Sequence, residues 1–556
     1  MSEYDEMLGC DILFVGAGPA TLACVTRLIE LVKDHNEKCK KIGSGEVIDL
    51  EDRICVLEKG VAVGAHTLSG ALIEKAELRR IVDRPVEELP FIDGEISEEK
   101  VCFLTPRKHF QLPVVPPAMK NRGNYVVSVS RLCKYFGEYL ESNGVPILCG
   151  ETADELIMKN ACVSGVLSYP KNGSSLDCGN GKSATRINSR VTVFGEGSLG
   201  FCTEKLIERQ RLFGPIPRTF ELGIKELHVR RRAEPDTFKD SCLHTMGYPL
   251  HQSGDTGGGF IYATRKYVVV GLVAHLNTRN PDFNLHRHLR KFKEHPVVEE
   301  QLRGTEMVEY GSKILPCGGA SANPQLVTDG AIIIGDAAGL VDTMRLKGLG
   351  NAITSGIIAA NTLYQAMAKN DYSIDTLKAY KRDLMKNPMY KKFSSADGFS
   401  QAISAEMPFP AVPLIGLQSI FGGELIHRIV KTIPDYKRTK KKNGKVNNAY
   451  IFDGVSIDRS RAEKEKSVYF ANTAHVKNSE SHISIKDAVR CTQCINAYGA
   501  PCASFCPAGV YEAVNGKVAV SAENCLHCRT CSLKCPYENV LWRLPAGGAG
   551  PKYSNM

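Results

Sequence analysis

The sequence predicts a mixed α/β and α+β chain with three interleaved units. These are a doubly wound nucleotide-binding sheet, a β-rich unit inserted into it, and a small cysteine-rich unit at the C-terminal end. Three observations carry this expectation. The apolar run Cys10–Val15 leads into Gly16-Ala17-Gly18-Pro19 and then a helical pattern, the order strand, glycine turn, helix. Far down the chain a second apolar run, Ala331–Ile334, ends in Gly335-Asp336. Eight of the 20 cysteines fall between Cys491 and Cys535, in two spaced quartets.

Composition sets the bounds. At roughly 100–200 residues per domain, 556 residues imply three or four structural units. Hydrophobic content of 43% and charged content of 24% are ordinary for a globular chain and exclude a disordered, collagenous or multi-spanning one. No run of 18 apolar residues occurs, so no helix is expected to span a bilayer. The strand signal at Cys10 leaves no room for a signal or transit peptide. The other 12 cysteines are scattered singly from Cys10 to Cys317, which fits a reducing compartment better than a secreted disulfide framework.

The first glycine turn is the core of a dinucleotide site. Gly16 allows the tight turn, Gly18 admits a pyrophosphate against the backbone, and the helix N-terminus supplies free N–H groups. Thr21 stands where the fingerprint has its third glycine. The second strand, Ile54–Glu58, ends in the acid expected to take the ribose hydroxyls, although Glu58 lies 40 residues after Gly18. The polar stretch 34–53 accounts for the excess and reads as a surface insertion. Further strands are expected at Val145–Cys149 and Val191–Phe194.

The second pair of elements narrows the cofactor. After Gly335-Asp336, Gly348-Leu349-Gly350-Asn351 opens a long helix toward Leu363. Flavoproteins of the glutathione-reductase type use such a pair. There the Asp meets the ribityl–phosphate junction, and the helix start faces the electron-accepting flavin edge, where its positive end stabilises reduced flavin. Arg131 sits where such enzymes place a pyrophosphate contact, and Val193–Gly197 matches their strand–turn element. FAD is therefore expected, bound by Gly16, Gly18, Glu58, Arg131, Gly335, Asp336, Gly348, Gly350 and Asn351. No paired cysteines stand near these elements, which argues against a disulfide reductase.

The inserted unit is expected from residues 81–124 and 213–323, rich in β-branched and aromatic runs such as Phe260-Ile261-Tyr262. The nucleotide-binding unit is then discontinuous, over 1–80, 125–212 and 324–404. Residues 405–447 form a separate amphipathic and basic segment, and 470–556 the cysteine-rich unit.

In that unit Cys525-x2-Cys528-x2-Cys531-x3-Cys535-Pro536 is the full bacterial ferredoxin run. Cys491-x2-Cys494-x7-Cys502-x3-Cys506-Pro507 repeats it with five extra residues. The fourth cysteine of each run ligates the other cluster. One 4Fe–4S cluster would take Cys506, Cys525, Cys528 and Cys531, and a second Cys491, Cys494, Cys502 and Cys535. Zinc ribbons usually hold the metal with two cysteine pairs, a poorer match to two triplets each followed by Cys-Pro.

At this point the chain resembles the electron-transfer flavoprotein:quinone oxidoreductase family. Gly64–Gly70, Gly223–Leu227, Gly247–Leu250, Gly257–Phe260, Cys506–Glu512 and Asn539–Trp542 through Gly547–Pro551 carry the resemblance over nearly the whole length. It is also similar to a Fix-type flavoprotein joined to its small ferredoxin-like partner. The resemblance implies an oxidoreductase that passes electrons from reduced electron-transfer flavoprotein through FAD and an iron–sulfur cluster to a membrane quinone. It implies Gly257 and Gly258 as backbone receiving the quinone ring, and a single cluster at Cys506, Cys525, Cys528 and Cys531. The second quartet is a departure, as is Leu349-Gly350-Asn351, where relatives carry hydroxyls. Other readings are an electron-relay subunit of a bifurcating complex, or a geranylgeranyl-reductase-type flavoenzyme, against which the cysteine tail speaks. His66 lies near the flavin or quinone or is structural, and Trp542 lies between cluster and flavin or simply packs.

Charge is concentrated rather than spread. From His427 to Lys445 eight Lys/Arg stand against one acid, Asp435, unlike the spread basic face of a nucleic-acid protein. Leu414, Leu417, Phe421 and Leu425 precede it at helical spacing after Pro413. An in-plane helix with a basic flank is expected to rest on a membrane surface. The expected location is peripheral, on the cytoplasmic face of the inner or cell membrane or its matrix-side equivalent, ubiquinone or menaquinone being the quinone.

Overall fold

The computed structural model describes residues 7–69, 72–82, 84–169, 184–232, 234–235, 237–404, 423–442, 459–475 and 481–556. An eight-stranded sheet forms the first layer. Its centre is parallel, in the order Ala331–Ile333, Thr185–Phe194, Met7–Val15, Ile54–Glu58, Ile147–Cys149. Ile12, Leu13 and Phe14 are fully buried, as continuous apolar runs in a sheet covered on both faces should be.

Two long helices follow the two glycine turns, Pro19–Ile42 and Leu349–Lys369. They pack on each other at Gly356, where an added Cβ would run into the Ala20 carbonyl oxygen. The first helix corrects one expectation. The stretch 34–53 is not a separate insertion, because its first half continues the helix to Ile42. Residues 34–41 contain no glycine or proline, and the first breaker is Gly43, which caps the helix in the left-handed conformation (φ 71°). The remainder folds back through Asn36, whose side-chain amide pairs both ways with the Ile48 backbone at 2.8 and 2.9 Å.

The second sheet has seven strands. In order they are Thr305–Pro316, Phe220–Arg230, Tyr267–His275, Gly257–Ala263, Ser241–Gly247, Glu98–Leu104 and His109–Gln111. All neighbours are antiparallel except Glu98–Leu104, which lies parallel to Ser241–Gly247 and so joins two distant chain segments into one sheet.

The cysteine-rich unit has the expected small α+β form. Strand Ile483–Ile485 pairs with Val540–Trp542, and Tyr511–Val514 with Lys517–Val520, around helices Ala488–Tyr498, Pro501–Phe505 and Thr530–Lys534. It is not a tethered bead. Phe505, Val510, Trp542 and Tyr553 belong to the same buried core as Leu222, Ile224, Val270 and Tyr310 of the seven-stranded sheet. At roughly 25 cal/mol per Å² of apolar surface removed from water, such a seam is a strong constraint on relative position.

The basic segment is pinned rather than free. Asp435 is buried and accepts a hydrogen bond from the Phe220 N–H at 3.1 Å. The Lys440 N–H donates to Arg279 O, and the Lys442 N–H to Ala497 O, so this strand of chain bridges the second sheet and the cysteine-rich unit. Lys442 is paired with Asp282 at 2.7 Å, while Arg428, Lys431, Lys437, Lys440 and Lys441 remain exposed. Leu414, Leu417 and Phe421 lie outside the described residues. Among those described, no helix is long and apolar enough to cross a membrane.

Replacing Gly356 by Ala forces the two long helices apart at their crossing. A loss of about 1–3 kcal/mol is expected, read as a lower urea midpoint for the variant than for wild type.

Candidate functional site

The first glycine turn is built as a nucleotide cradle. Gly16 has φ 94°, a conformation that favours glycine, and an added Cβ would lie 2.7 Å from Gly195 O. Gly18 caps the helix without a side-chain partner, leaving the first-turn N–H groups for a ligand. Glu58 reaches this turn despite the long connection: its carboxylate accepts from Ala17 N–H at 3.0 Å and Gly60 N–H at 2.6 Å. Thr21 replaces the third glycine without strain because Gly195 faces it, with no Cβ to meet the Thr21 hydroxyl.

The second turn joins the first. Gly335, at φ 63°, packs its backbone on Ala20 and donates its N–H to Ser355 Oγ at 3.0 Å. Burial pushes the Asp336 carboxyl up, and the nearby Lys313 ammonium opposes that shift. Its carboxylate has no hydrogen-bond partner among the described residues, which suits an acid waiting for a ligand hydroxyl. Gly348 begins the long helix without a side-chain cap, and Asn351 donates to Leu340 O at 3.0 Å. These features fit a flavin dinucleotide.

One feature at this end carries no sequence signal. Glu77 points its carboxylate at Gly350, at the positive end of the long helix, although burial raises its pKa. Arg131, assigned to a pyrophosphate, is placed with its guanidinium on Pro90 O and the Asp93 carboxylate, 5.9 Å from the Tyr267 ring centre.

Gly257 and Gly258 begin a strand of the second sheet, opposite Ala274 and Val273. Gly257 has φ 157°, and an added Cβ would run into Val273 O; one on Gly258 would lie 2.8 Å from Thr245 O. The sheet itself therefore demands glycine at both positions. Beside them, His275 donates its backbone N–H to Thr256 O and pairs its ring with Glu221 at 3.1 Å. Cys317 Sγ lies 3.8 Å from the same ring.

The eight cysteines separate into two groups of four. After burial, the Cys525 thiol is pushed up by Cys528, Cys531 and Cys506, the Cys528 thiol by Cys506, and the Cys531 thiol by Cys528 and Cys506. Cys494 and Cys502 respond in the same way to Cys491 and Cys535. Each group therefore draws its fourth thiol from the other half of the unit, the crossed pattern expected of two-cluster ferredoxins. The five extra residues lengthen helix Ala488–Tyr498, which stops at Gly499 (φ 77°). Buried, converging thiols fit iron–sulfur ligation. All cysteines among the described residues are free of disulfides.

Between the Cys506 group and the strand ending at Glu58 lies a buried array of rings. The His475 and His482 rings stack at 5.3 Å, and His527 stands 5.3 and 5.0 Å from them and 6.0 Å from His66. Trp542 completes it, 5.6 Å from His527 and 5.4 Å from Phe201. Lys59 Nζ is 3.2 Å from His527 Nδ1, and burial lowers its pKa to about 8. Burial also holds His66 and His527 well below the ordinary histidine value, so the array is uncharged at neutral pH. The tail locks this junction: Gly548 N–H donates to Lys59 O and Tyr553 N–H to Ala65 O, both at 2.8 Å.

Two parts of the chain match models of known protein families. Residues 459–554 match the family model described as "Electron transfer flavoprotein-ubiquinone oxidoreductase, 4Fe-4S". Residues 220–315 match the one described as "ETF-QO, ubiquinone-binding". The chain is 31% identical to the electron transfer flavoprotein-ubiquinone oxidoreductase of Pseudomonas aeruginosa, covering 99% of this chain and 100% of that one. It is 31% identical to the mitochondrial protein of that name from Oryza sativa subsp. japonica, over 99% and 94%. Among solved structures, a geranylgeranyl bacteriochlorophyll reductase-like protein from Thermoplasma acidophilum superposes with TM-score 0.56 at 17% identity. That match covers 75% of this chain and 92% of that one, a likeness of fold.

Glu221 provides a pH test of the second sheet. Burial first, and Asp435 second, push its carboxyl from 4.5 up to about 8. Its neutral form therefore stabilises the fold fully below about pH 4.5, and that contribution is lost as pH rises through about 8. Glu221→Gln keeps the shape without the charge. Its melting temperature should gain on wild type progressively toward pH 8, measured by scanning fluorimetry across that range.

Proposed function

The chain belongs to the electron transfer flavoprotein-ubiquinone oxidoreductase family, and from that premise we propose that it oxidises reduced electron transfer flavoprotein and reduces a membrane quinone. The observation that carries this reading is the junction at Lys59. A four-thiol group, a flavin-type glycine cradle and the quinone-type sheet meet there in one packed body. Bound in these sites, FAD supplies two-electron storage and a 4Fe–4S cluster supplies single-electron transfer.

The protein's part is to hold, orient and insulate. Gly16 and Gly18 bring backbone N–H groups to the pyrophosphate, and Glu58 retains lone pairs for the adenosine ribose beside those it gives to Ala17 and Gly60. Gly335 and Asp336 take the ribityl–phosphate junction. The helix start at Gly348, Gly350 and Asn351 would face the flavin edge, with the Glu77 carboxylate at its positive end. Arg131, paired with Asp93, would turn its guanidinium to the pyrophosphate. Cys506, Cys525, Cys528 and Cys531 hold the cluster, with His527 N–H donating to Cys525 Sγ at 3.4 Å. The uncharged ring array excludes water between thiols and flavin cradle. Gly257 and Gly258 offer backbone to the quinone ring, and the buried Glu221–His275 pair stands beside them to hold a proton.

The chain rests peripherally on the membrane face that reduced electron transfer flavoprotein can reach, the cytoplasmic face in a bacterium or the matrix face in a mitochondrion. Support comes from the exposed row Arg428, Lys431, Lys437, Lys440 and Lys441. Lys442 takes no part, being paired with Asp282.

Two experiments follow. Cys528→Ser should retain FAD by absorbance but lose quinone reduction driven by reduced electron transfer flavoprotein to near background; full activity would refute the relay. Replacing Lys437, Lys440 and Lys441 by Glu should weaken sedimentation with anionic liposomes by about 1 kcal/mol or more per residue. Unchanged sedimentation would remove the basic row from the membrane contact.

A further inference from the structure

We propose that the cavity lined by Cys491, Cys494, Cys502 and Cys535 holds a second 4Fe–4S cluster, the outer member of a pair. This rests on the reading of the Cys506 group as the first site, but its evidence is separate. The four thiols line one enclosed, largely apolar space with Ile485, Phe505, Val518 and Val540. Three come from the first half of the unit and the fourth from the second.

The backbone repeats itself around the two groups. Each short helix is preceded by a left-handed residue, Ala500 (φ 56°) and Arg529 (φ 59°). Each carries one cysteine inside, Cys502 or Cys531, and is followed at once by another, Cys506 or Cys535, and then by a proline. The closing bonds match: Cys506 N–H to Cys502 O at 3.2 Å, and Cys535 N–H to Cys531 O at 3.3 Å. A fold that builds one cubane site from these parts has built the second with the same parts. On helix Ala488–Tyr498, Cys491 and Cys494 are three residues apart and so share one face.

The sulfur atoms also have the donors that a thiolate cluster needs. Asn539 gives its backbone N–H to Cys535 Sγ at 3.3 Å and its side-chain amide to Cys491 Sγ at 3.1 Å. One residue thus spans the two halves of the site. Its orientation is fixed from behind, because Asp487 N–H donates to Asn539 Oδ1 at 3.0 Å and the Asn539 amide donates to Asp487 O at 2.7 Å.

The two sites differ in their surroundings. The Cys506 group meets the flavin-binding unit through His527 on Lys59 and Arg529 on Leu199 O. The second cavity is lined only by residues of the cysteine-rich unit. Beside it, the first turn of helix Ala488–Tyr498 lies at the surface, with Val489 66% exposed. The cavity is therefore the outer site and the Cys506 group the inner one.

The test compares the full chain, purified anaerobically, with Cys491→Ser/Cys494→Ser and with Cys528→Ser. Iron, acid-labile sulfide, zinc and FAD are assayed, and the dithionite-reduced EPR signal is integrated at low temperature. Wild type should carry about eight irons and two spins per FAD, each cubane holding four. The double variant should lose about half of both while keeping FAD and the remaining signal. Should the double variant misfold, the wild-type spin count still decides: one spin with about four irons per FAD overturns the proposal. Iron that is lost in Cys528→Ser but unchanged in the double variant overturns it too, and leaves the first site standing. Zinc lost from the double variant with iron unchanged assigns the cavity to zinc and overturns it. Wild type without iron overturns both sites together.

Discussion

Everything in this chain depends on a fixed distance between the thiol groups and the flavin cradle. Electron transfer through protein weakens exponentially with separation, so a cysteine-rich unit on a loose linker would be useless. The chain meets this constraint at the end of one strand. Glu58 turns toward the glycine loop, while the next residue, Lys59, turns toward His527 between two cysteines. The carbonyl of Lys59 then takes the Gly548 N–H of the tail. A single Glu-Lys step thus touches the nucleotide cradle on one side and the edge of the Cys506 thiol group on the other. The shared apolar core with the seven-stranded sheet makes that contact rigid.

The same packing creates the electrostatic character of the interior. Lys59, Asp336 and Glu221 are all buried, and each is shifted toward its neutral form by desolvation. Asp435 and Lys534 are shifted in the same sense, burial outweighing their mutual attraction. A protein meant only to be stable would replace such groups with apolar ones. Here they stand beside the flavin cradle, the thiols and the strand bearing Gly257, where charge arrives and leaves.

Much of this was legible in the sequence, for a physical reason. Gly16 and Gly335 answer local demands on backbone conformation, and cysteine spacing encodes which thiols a loop can bring together. Sequence distance does not hide such features. What stayed hidden was long-range. Thr21 is acceptable only because Gly195, far along the chain, lies opposite it. Glu77 at the flavin helix, Asn539 across Cys491 and Cys535, and the histidine array carry no spacing signal, since their partners are set by tertiary packing. The basic row was visible, but not that Lys442 is held by Asp282. The stretch 34–53 was misread because its charged residues resemble a loop, whereas Lys and Glu are also good helix formers.

The most direct test of the central claim is anaerobic double-mixing stopped flow on the FAD- and iron-loaded chain. Reduced electron transfer flavoprotein is added first and a water-soluble quinone second, with flavin absorbance followed throughout. The expected result is bleaching of the chain's flavin by the donor and its recovery on addition of quinone. A flavin that the donor leaves oxidised, or that stays bleached in the presence of quinone, would contradict the account.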